Sequence, residues 1–213
     1  MENLKELEAL ARGGDADAQY RLAARLDRAG RREEAGGWTR RAADAGHPGA
    51  LYTLACEMLS VPPDQMQVGE AVRLLKRAAD AGGAGAMRLL GVLTALGLGV
   101  QQDWAGAVKL VCAAADAGHP GAMRELALLA ESVSGEIGAG DAMLGEAARK
   151  GDWVALCYAV RRGLLSEGDA ASARTRLRQR GITFFSLDHE TRAAAAAPLS
   201  DPKALAMLAA DER

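Results

Sequence analysis

Large side chains are scarce in this sequence. Only 4% of its 213 residues are aromatic, 3 Trp, 3 Tyr and 2 Phe, so no single core can be gathered around stacked rings. No run approaches the ~18 consecutive apolar residues a membrane helix needs, and the opening Met1-Glu2-Asn3-Leu4-Lys5 lacks a basic-then-apolar signal pattern. A soluble, cytoplasmic chain is expected. The three cysteines, Cys56, Cys112 and Cys157, are far apart, odd in number and without a CxxC pair. That argues against a disulfide framework or a zinc site, and for buried free thiols. Lys and Arg number 26 against 28 Asp and Glu, a net charge of −2, which provides no global attraction for nucleic acid or an anionic membrane.

What is abundant is small. The chain holds 47 alanines, about a fifth of its length, and 25 glycines, although its 49% hydrophobic and 25% charged fractions are ordinary for a globular protein. Burial gains roughly 25 cal/mol per Å² of apolar surface, and alanine has little surface to bury. Such a chain must pack backbones closely over a long surface. The small residues also recur in order. Ala42-Ala43-Asp44-Ala45-Gly46-His47-Pro48-Gly49-Ala50 returns around Gly82 and again around Gly118, so the turn glycines are spaced by 36 and 36. Weaker copies lie at Gly14 and Gly151, 32 residues before Gly46 and 33 after Gly118, and Gly181 closes a degenerate last unit.

Each unit reads as two helices. After the glycine, a helix A pattern places alanine and leucine at i and i+4: Ala18 and Leu22, Ala50 and Leu54, Ala86 and Leu90, Ala122 and Leu126. A breaker follows, Val61-Pro62-Pro63-Asp64 or Gly97-Leu98-Gly99-Val100. Helix B then runs from about Glu34 to Ala45, Gly69 to Ala81 and Asp103 to Ala117, with Asp103 placed as an N-cap. The closing glycine takes the left-handed conformation that stops a helix, and Pro48 or Pro120 suits the next first turn. From Leu22 to Ala35 is 13 residues, whereas Leu54 to Ala71 and Leu90 to Ala107 are both 17, so the short first period loses its residues in the A-to-B loop. The expected fold is an all-α, right-handed solenoid of about five helix-turn-helix repeats.

The pattern resembles the Sel1-like repeat family, short relatives of the tetratricopeptide repeat. The third unit carries most of the likeness, in Ala86, Leu90, Gly91, Gly97, Gly99, Val100, Asp103, Ala107, Ala114, Ala115 and Gly118. The first unit matches the second half of the pattern in Ala35, Trp38, Arg41, Ala42, Ala43 and Gly46. The sequence departs where the glycine after the helix A leucine becomes Ala23, Ala55 and Ala127, and where the family's loop is missing from units one and four. The resemblance covers about residues 5–181, with units near 5–36, 37–72, 73–108, 109–141 and 142–181, and leaves 182–213 as a capping segment or linker. It implies a non-catalytic, monomeric adaptor that binds a protein or peptide along the concave helix A face. The residues it directs there are Tyr20, Tyr52, Arg88 and Arg124, with Cys157 in the last unit. The two arginines would receive an acidic segment or a carboxylate. Such arrays also precede catalytic domains in some bacterial proteins, including iron- and 2-oxoglutarate-dependent prolyl hydroxylase-like ones, so a regulatory or targeting module is the alternative.

Catalysis would need unlike polar groups that break the repeat. His47 and His119 instead share one slot of the repeated turn, and His189 stands in an acidic Asp188-His189-Glu190 turn. No HExxH, GxSxG, Walker loop or His-x-Asp iron triad is present, so no catalytic residue, metal or cofactor is expected. One local basic patch exists, Arg161, Arg162, Arg174, Arg176, Arg178 and Arg180 against Glu167 and Asp169. It is the foothold of a less favoured nucleic-acid reading, since helical RNA readers carry positive charge throughout the array. Beyond Gly181, Ile182-Thr183-Phe184-Phe185 holds both phenylalanines and would cover the end of the array, and Asp201-Pro202 can start a last helix through Leu205 and Leu208.

Overall fold

The computed structural model describes residues 4–60 and 65–179, and every regular element among them is an α-helix. In chain order these are α1 (Leu4–Arg12), α2 (Ala16–Arg28), α3 (Arg32–Asp44), α4 (Pro48–Ser60), α5 (Gln65–Asp80), α6 (Ala84–Leu96), α7 (Trp104–Asp116), α8 (Pro120–Ser134), α9 (Asp141–Arg149), α10 (Trp153–Arg162) and α11 (Glu167–Gln179). The described residues divide into two units, one up to Ala107 and one from Val108, the boundary falling inside α7. Helices α2, α4, α6, α8 and α10 are the A helices of five repeats. Helix α1 precedes the first of them and ends on the same kind of turn. In the first unit α1 packs on α2, and each helix through α6 packs on the next, with α4 also touching α6. In the second, α8 packs on α9, α9 on α10 and α10 on α11. The architecture is an all-α repeat solenoid.

The repeated turn explains why the helices stop and restart where they do. Gly46, Gly82 and Gly118 have φ of +83°, +84° and +86°, open to glycine at no steric cost. The glycine N–H donates to the carbonyl three residues back (Gly46 to Ala43, 2.9 Å), and the next residue's N–H donates to the carbonyl five back (His47 to Ala42, 2.9 Å). This is a Schellman closure, and it satisfies carbonyls that a bare helix end would leave open. The residue after the glycine is at once the N-cap of the following A helix. Asp15 accepts from the Ala18 N–H at 2.6 Å, and Asp152 from the Ala155 N–H at 2.7 Å. His47 and His119 do the same through Nδ1, accepting from the Ala50 and Ala122 N–H groups at 3.3 Å. The two histidines are therefore capping residues, which requires the proton on Nε2.

The helix A alanines set the contact distance between hairpins. Ala18, Ala50, Ala86 and Ala122 are each no more than 2% exposed. Their i+4 leucines vary more: Leu22 and Leu90 are buried, Leu54 and Leu126 only partly so. Cys56 and Cys157 are buried free thiols, and Cys112 is a half-buried one.

Loop lengths show how the period is kept. The α2–α3 connection has three residues, 29–31, and the α6–α7 connection seven, 97–103, so the first repeat is shorter by four residues in its loop. The second repeat has the same total length as the third but starts helix B earlier, at Gln65, giving α5 16 residues against 13 in α7. Its Pro62-Pro63 breaker lies outside the described residues. Asp103 caps α7 by accepting from the Gly106 N–H at 3.0 Å. In the fourth repeat the family's loop pattern is missing but a loop is present. Residues 135–140 connect α8 to α9, with Gly135 and Gly138 at φ +71° and +103°.

Candidate functional site

The four residues expected to line the partner face are on successive A helices, Tyr20 on α2, Tyr52 on α4, Arg88 on α6 and Arg124 on α8. Tyr20 and Tyr52 are half-buried, and Arg88 and Arg124 are buried, at 4% and 9% exposure. The Tyr20 ring stacks on His47 with centroids 4.5 Å apart, and its hydroxyl lies 3.5 Å from Thr53 Oγ1. It fills the space above Gly49, where an added Cβ would come within 2.8 Å of the ring. His47 Nε2 in turn faces Asp17 at 3.7 Å. Tyr20 thus joins α2 to α4.

Arg124 makes the same connection by charge. Its Nη1 donates to both carboxylate oxygens of Asp152, at 3.1 and 2.9 Å, and both side chains are nearly covered, 11% and 8% exposed. Asp152 is the N-cap of α10, as His47 is of α4. The slot residue of one A helix therefore reaches the capping residue of the next, 27 residues on for Tyr20 and 28 for Arg124. Arg124, expected to offer its guanidinium to an acidic segment, thus has a carboxylate of the chain itself on its Nη1. Cys157, the fifth slot residue, is fully buried in the second unit's core.

The tie can be tested by separating its two functions. Asp152→Asn keeps a capping oxygen and loses the charge, whereas Asp152→Ala loses the cap, about 1 kcal/mol, and leaves Arg124 buried without its carboxylate, together roughly 3 kcal/mol. Urea unfolding is expected to rank wild type above Asn and Asn above Ala. Equal midpoints for the two variants would dismiss the shared role.

The basic patch is also reassigned. Arg162, the last residue of α10, donates through Nη1 to Glu131 Oε1 and through Nη2 to Glu131 Oε2 at 3.0 Å, and Nη1 also reaches Asp141 Oδ1 at 2.7 Å. Its guanidinium lies over the Tyr158 ring, 5.4 Å from the centroid. The Arg162 guanidinium holds the Glu131 carboxyl below the usual carboxylate range, partial burial opposes this, and the Gly138 and Gly140 backbone groups assist it. Arg162 is itself pushed further up by its hydrogen bond to Glu131. One cation faces two carboxylates, so Arg162 adds nothing to a basic surface. Arg176 is exposed on α11, while the side chains of Arg161, Arg174 and Arg178, and the whole of Arg180, lie outside the described residues. So do the Phe184–Phe185 cap, His189 and the expected last helix.

Sequence reasoning found the slots and missed their partners. Glu131, Asp141 and Asp152 sit 31, 21 and 28 residues from the arginines they bind, at distances no local pattern reports. Only the repeat offered a signal: Asp152 occupies the same place after a turn glycine as His47 and Asp15. Among the described residues no three His, Cys, Asp or Glu side chains are grouped to hold a metal ion, and no helix is long and apolar enough to cross a membrane.

The repeated turn and the hairpin arrangement are shared with solved structures. A Sel1 repeat protein from Oxalobacter formigenes is 29% identical, with a TM-score of 0.51, and the match covers 59% of this chain and 98% of that one. The chain is similar in fold and sequence to that Sel1 repeat protein. Two further structures share the fold. One is a protective antigen present in uropathogenic Escherichia coli strains and displaying an SLR fold, 24% identical with a TM-score of 0.58, in which all of this chain matches 49% of that one. The other is a Sel1 repeat protein from Klebsiella pneumoniae subsp. pneumoniae, 22% identical with a TM-score of 0.57, covering 88% of this chain and 99% of that one. No protein-family model matches the chain, and no curated protein does. In this chain the glycine turn and the buried alanine recur from unit to unit, and the slot residue varies.

Proposed function

We propose that the chain is a non-catalytic scaffold that binds a partner protein or peptide along the slot face of its A helices. Tyr20 and Tyr52, half-buried on α2 and α4, supply flat, amphipathic contact area there. The observation that supports this reading most is the division of labour within the repeat. Turn glycines and buried alanines build the same framework each time, whereas the slot changes chemistry, from tyrosine to arginine. Arg124 also carries the tie to Asp152. The nucleic-acid alternative loses one of its arginines to the Arg162–Glu131–Asp141 cluster.

A photoreactive amino acid at Tyr52, compared with one at exposed Arg40 on α3, tests the face. The expected result is a cross-linked partner from position 52 only, suppressed by an excess of a glutamate-rich peptide. Equal capture from both positions would remove the assignment. Capture replaced by single-stranded RNA binding that falls steeply with salt would transfer it to nucleic acid.

A further inference from the structure

Helix α7 differs from the B helices before it on the side they turn to solvent. The residues six and five before the turn glycine are Arg40 and Arg41 on α3 and Lys76 and Arg77 on α5, all four exposed, but Cys112 and Ala113 on α7. Upstream in the same row, at i−4 and i−8 from Cys112, stand Val108 and Trp104. Trp104 is 60% exposed and Val108 38%, whereas Val72, the α5 counterpart of Val108, is 3% exposed. Cys112 is half-buried and Ala113 exposed. The charged residues of α7 are Lys109 and Asp116. Lys109 follows Val108 and so points about 100° away round the helix, which leaves the row itself apolar. Removing such a row from water gains roughly 25 cal/mol per Å².

The order of sizes along the row identifies what covers it. A two-fold contact must be complementary to itself. Antiparallel pairing of α7 with α7 of a second copy, centred on Val108, sets valine on valine and brings Trp104 of each copy over Cys112 and Ala113 of the other. The large ring meets small residues twice. Charge favours this helix over its counterparts. The same pairing would set Arg40 against Arg32 on α3, a like-charge contact, and would press Lys76 onto Val68 on α5, an ammonium against an apolar side chain. We propose that α7 is a homodimer contact built on Trp104, Val108 and Cys112. Its 13 residues make about 20 Å of helix, and one crossing of two such helices falls short of the ~1,200 Å² at which stable interfaces begin. The dimer is therefore weak and reversible, where the family resemblance implies a monomer. It leaves the A helices out of the contact and presents their slot face twice, which strengthens the hold on a partner with two binding segments. The contact stands independently of the scaffold reading.

Sedimentation equilibrium of the full chain in reductant tests the contact. The weight-average mass is expected to climb towards twice that of the monomer, with half-dimerisation on the order of 100 μM. Val108→Lys, which sets two ammonium groups on the two-fold axis, is expected to abolish the rise, and Trp104→Ala to weaken association about tenfold. Disulfide formation tests the register separately. On the axis position 108 faces its own copy, while positions 112 and 113 lie about 12 and 15 Å from theirs along the helices. In a Cys112→Ser background, Val108→Cys is expected to give a linked dimer under oxidised glutathione, and Ala113→Cys is not. A monomer at every concentration overturns the proposal and leaves the face to a different protein. A dimer that Val108→Lys leaves intact, or equal linkage from positions 108 and 113, overturns it as well. Cross-linking from Tyr52 reads the A helices alone, so failure of the dimer and failure of the scaffold reading are distinguishable.

Discussion

Replacing Arg162 with alanine is expected to lower the unfolding free energy by about 3 kcal/mol, the cost typical of removing one partner from a largely covered ion pair. The side chains of Glu131 and Asp141 come from α8 and the start of α9, and only 14% and 34% of them is exposed. Without the guanidinium two carboxylates face each other in a poorly hydrated place. The loss also has a pH signature. Glu131 is held below its ordinary value chiefly by its hydrogen bond to Arg162. A depressed folded-state pKa contributes stability that is fully present above the unfolded value, about 4.3, and is lost as pH falls through the folded value. Wild type should therefore lose stability between pH 5 and the acid limit more steeply than Arg162→Ala, and the difference between them should narrow as pH falls. Denaturant titrations at pH 7 and in steps below pH 5 measure it. A constant difference across that range would show that packing on Tyr158, rather than the carboxylates, accounts for the effect.

Gly140→Ala is the second large effect. Gly140 precedes α9 with φ −102° and ψ 3°, a conformation open to any residue, so backbone freedom is not the reason for glycine here. The reason is contact. A Cβ at this position would lie 2.4 Å from the Ala127 carbonyl oxygen and 2.6 Å from its Cα and Cβ. The obstruction is backbone of α8, itself fully buried at Ala127, so no rotamer change relieves it. Overpacking usually costs 1–3 kcal/mol, and an immovable backbone neighbour places this case at about 3 kcal/mol or beyond. Gly145→Ala in α9 is the control, since its Cβ would meet only the flexible Arg149 guanidinium at 3.6 Å. Thermal melts are expected to show a large loss for Gly140→Ala and little change or a gain for Gly145→Ala. Similar melting points would mean that α8 and α9 can separate at no cost.

Both effects come from contacts that no periodicity announces, and this marks how far the sequence could be read. The turn at Gly46, Gly82 and Gly118 was legible because it is built from adjacent residues: a left-handed glycine, two backbone hydrogen bonds and a cap follow from local chemistry. The same holds for Asp103 at α7 and for the short first loop. The slot was legible through the repeat, as a position where tyrosine gives way to arginine. What the slot does was not. Arg88 and Arg124 read as surface cations, because a buried guanidinium is rare and its acceptor cannot be identified from a pattern. The arginines near the end read as a patch because charge was summed along the chain, whereas Arg162 meets its carboxylates across α8 and α9.

By itself the sequence determined the elements and their order: helices bounded by a recurring glycine turn, small residues at the crossings, and a period near 36. These depend on forces acting within a turn or two of helix, and a repeat presents them several times over. Tertiary structure alone decided which polar groups are neutralised inside the fold. It paired Arg124 with Asp152 and Arg162 with Glu131 and Asp141, brought Gly140 against Ala127, and enclosed α6 on all sides. The physical reason is that burial and ion pairing depend on distance in space, and stacking successive hairpins brings residues 20 to 30 positions apart within 3 Å.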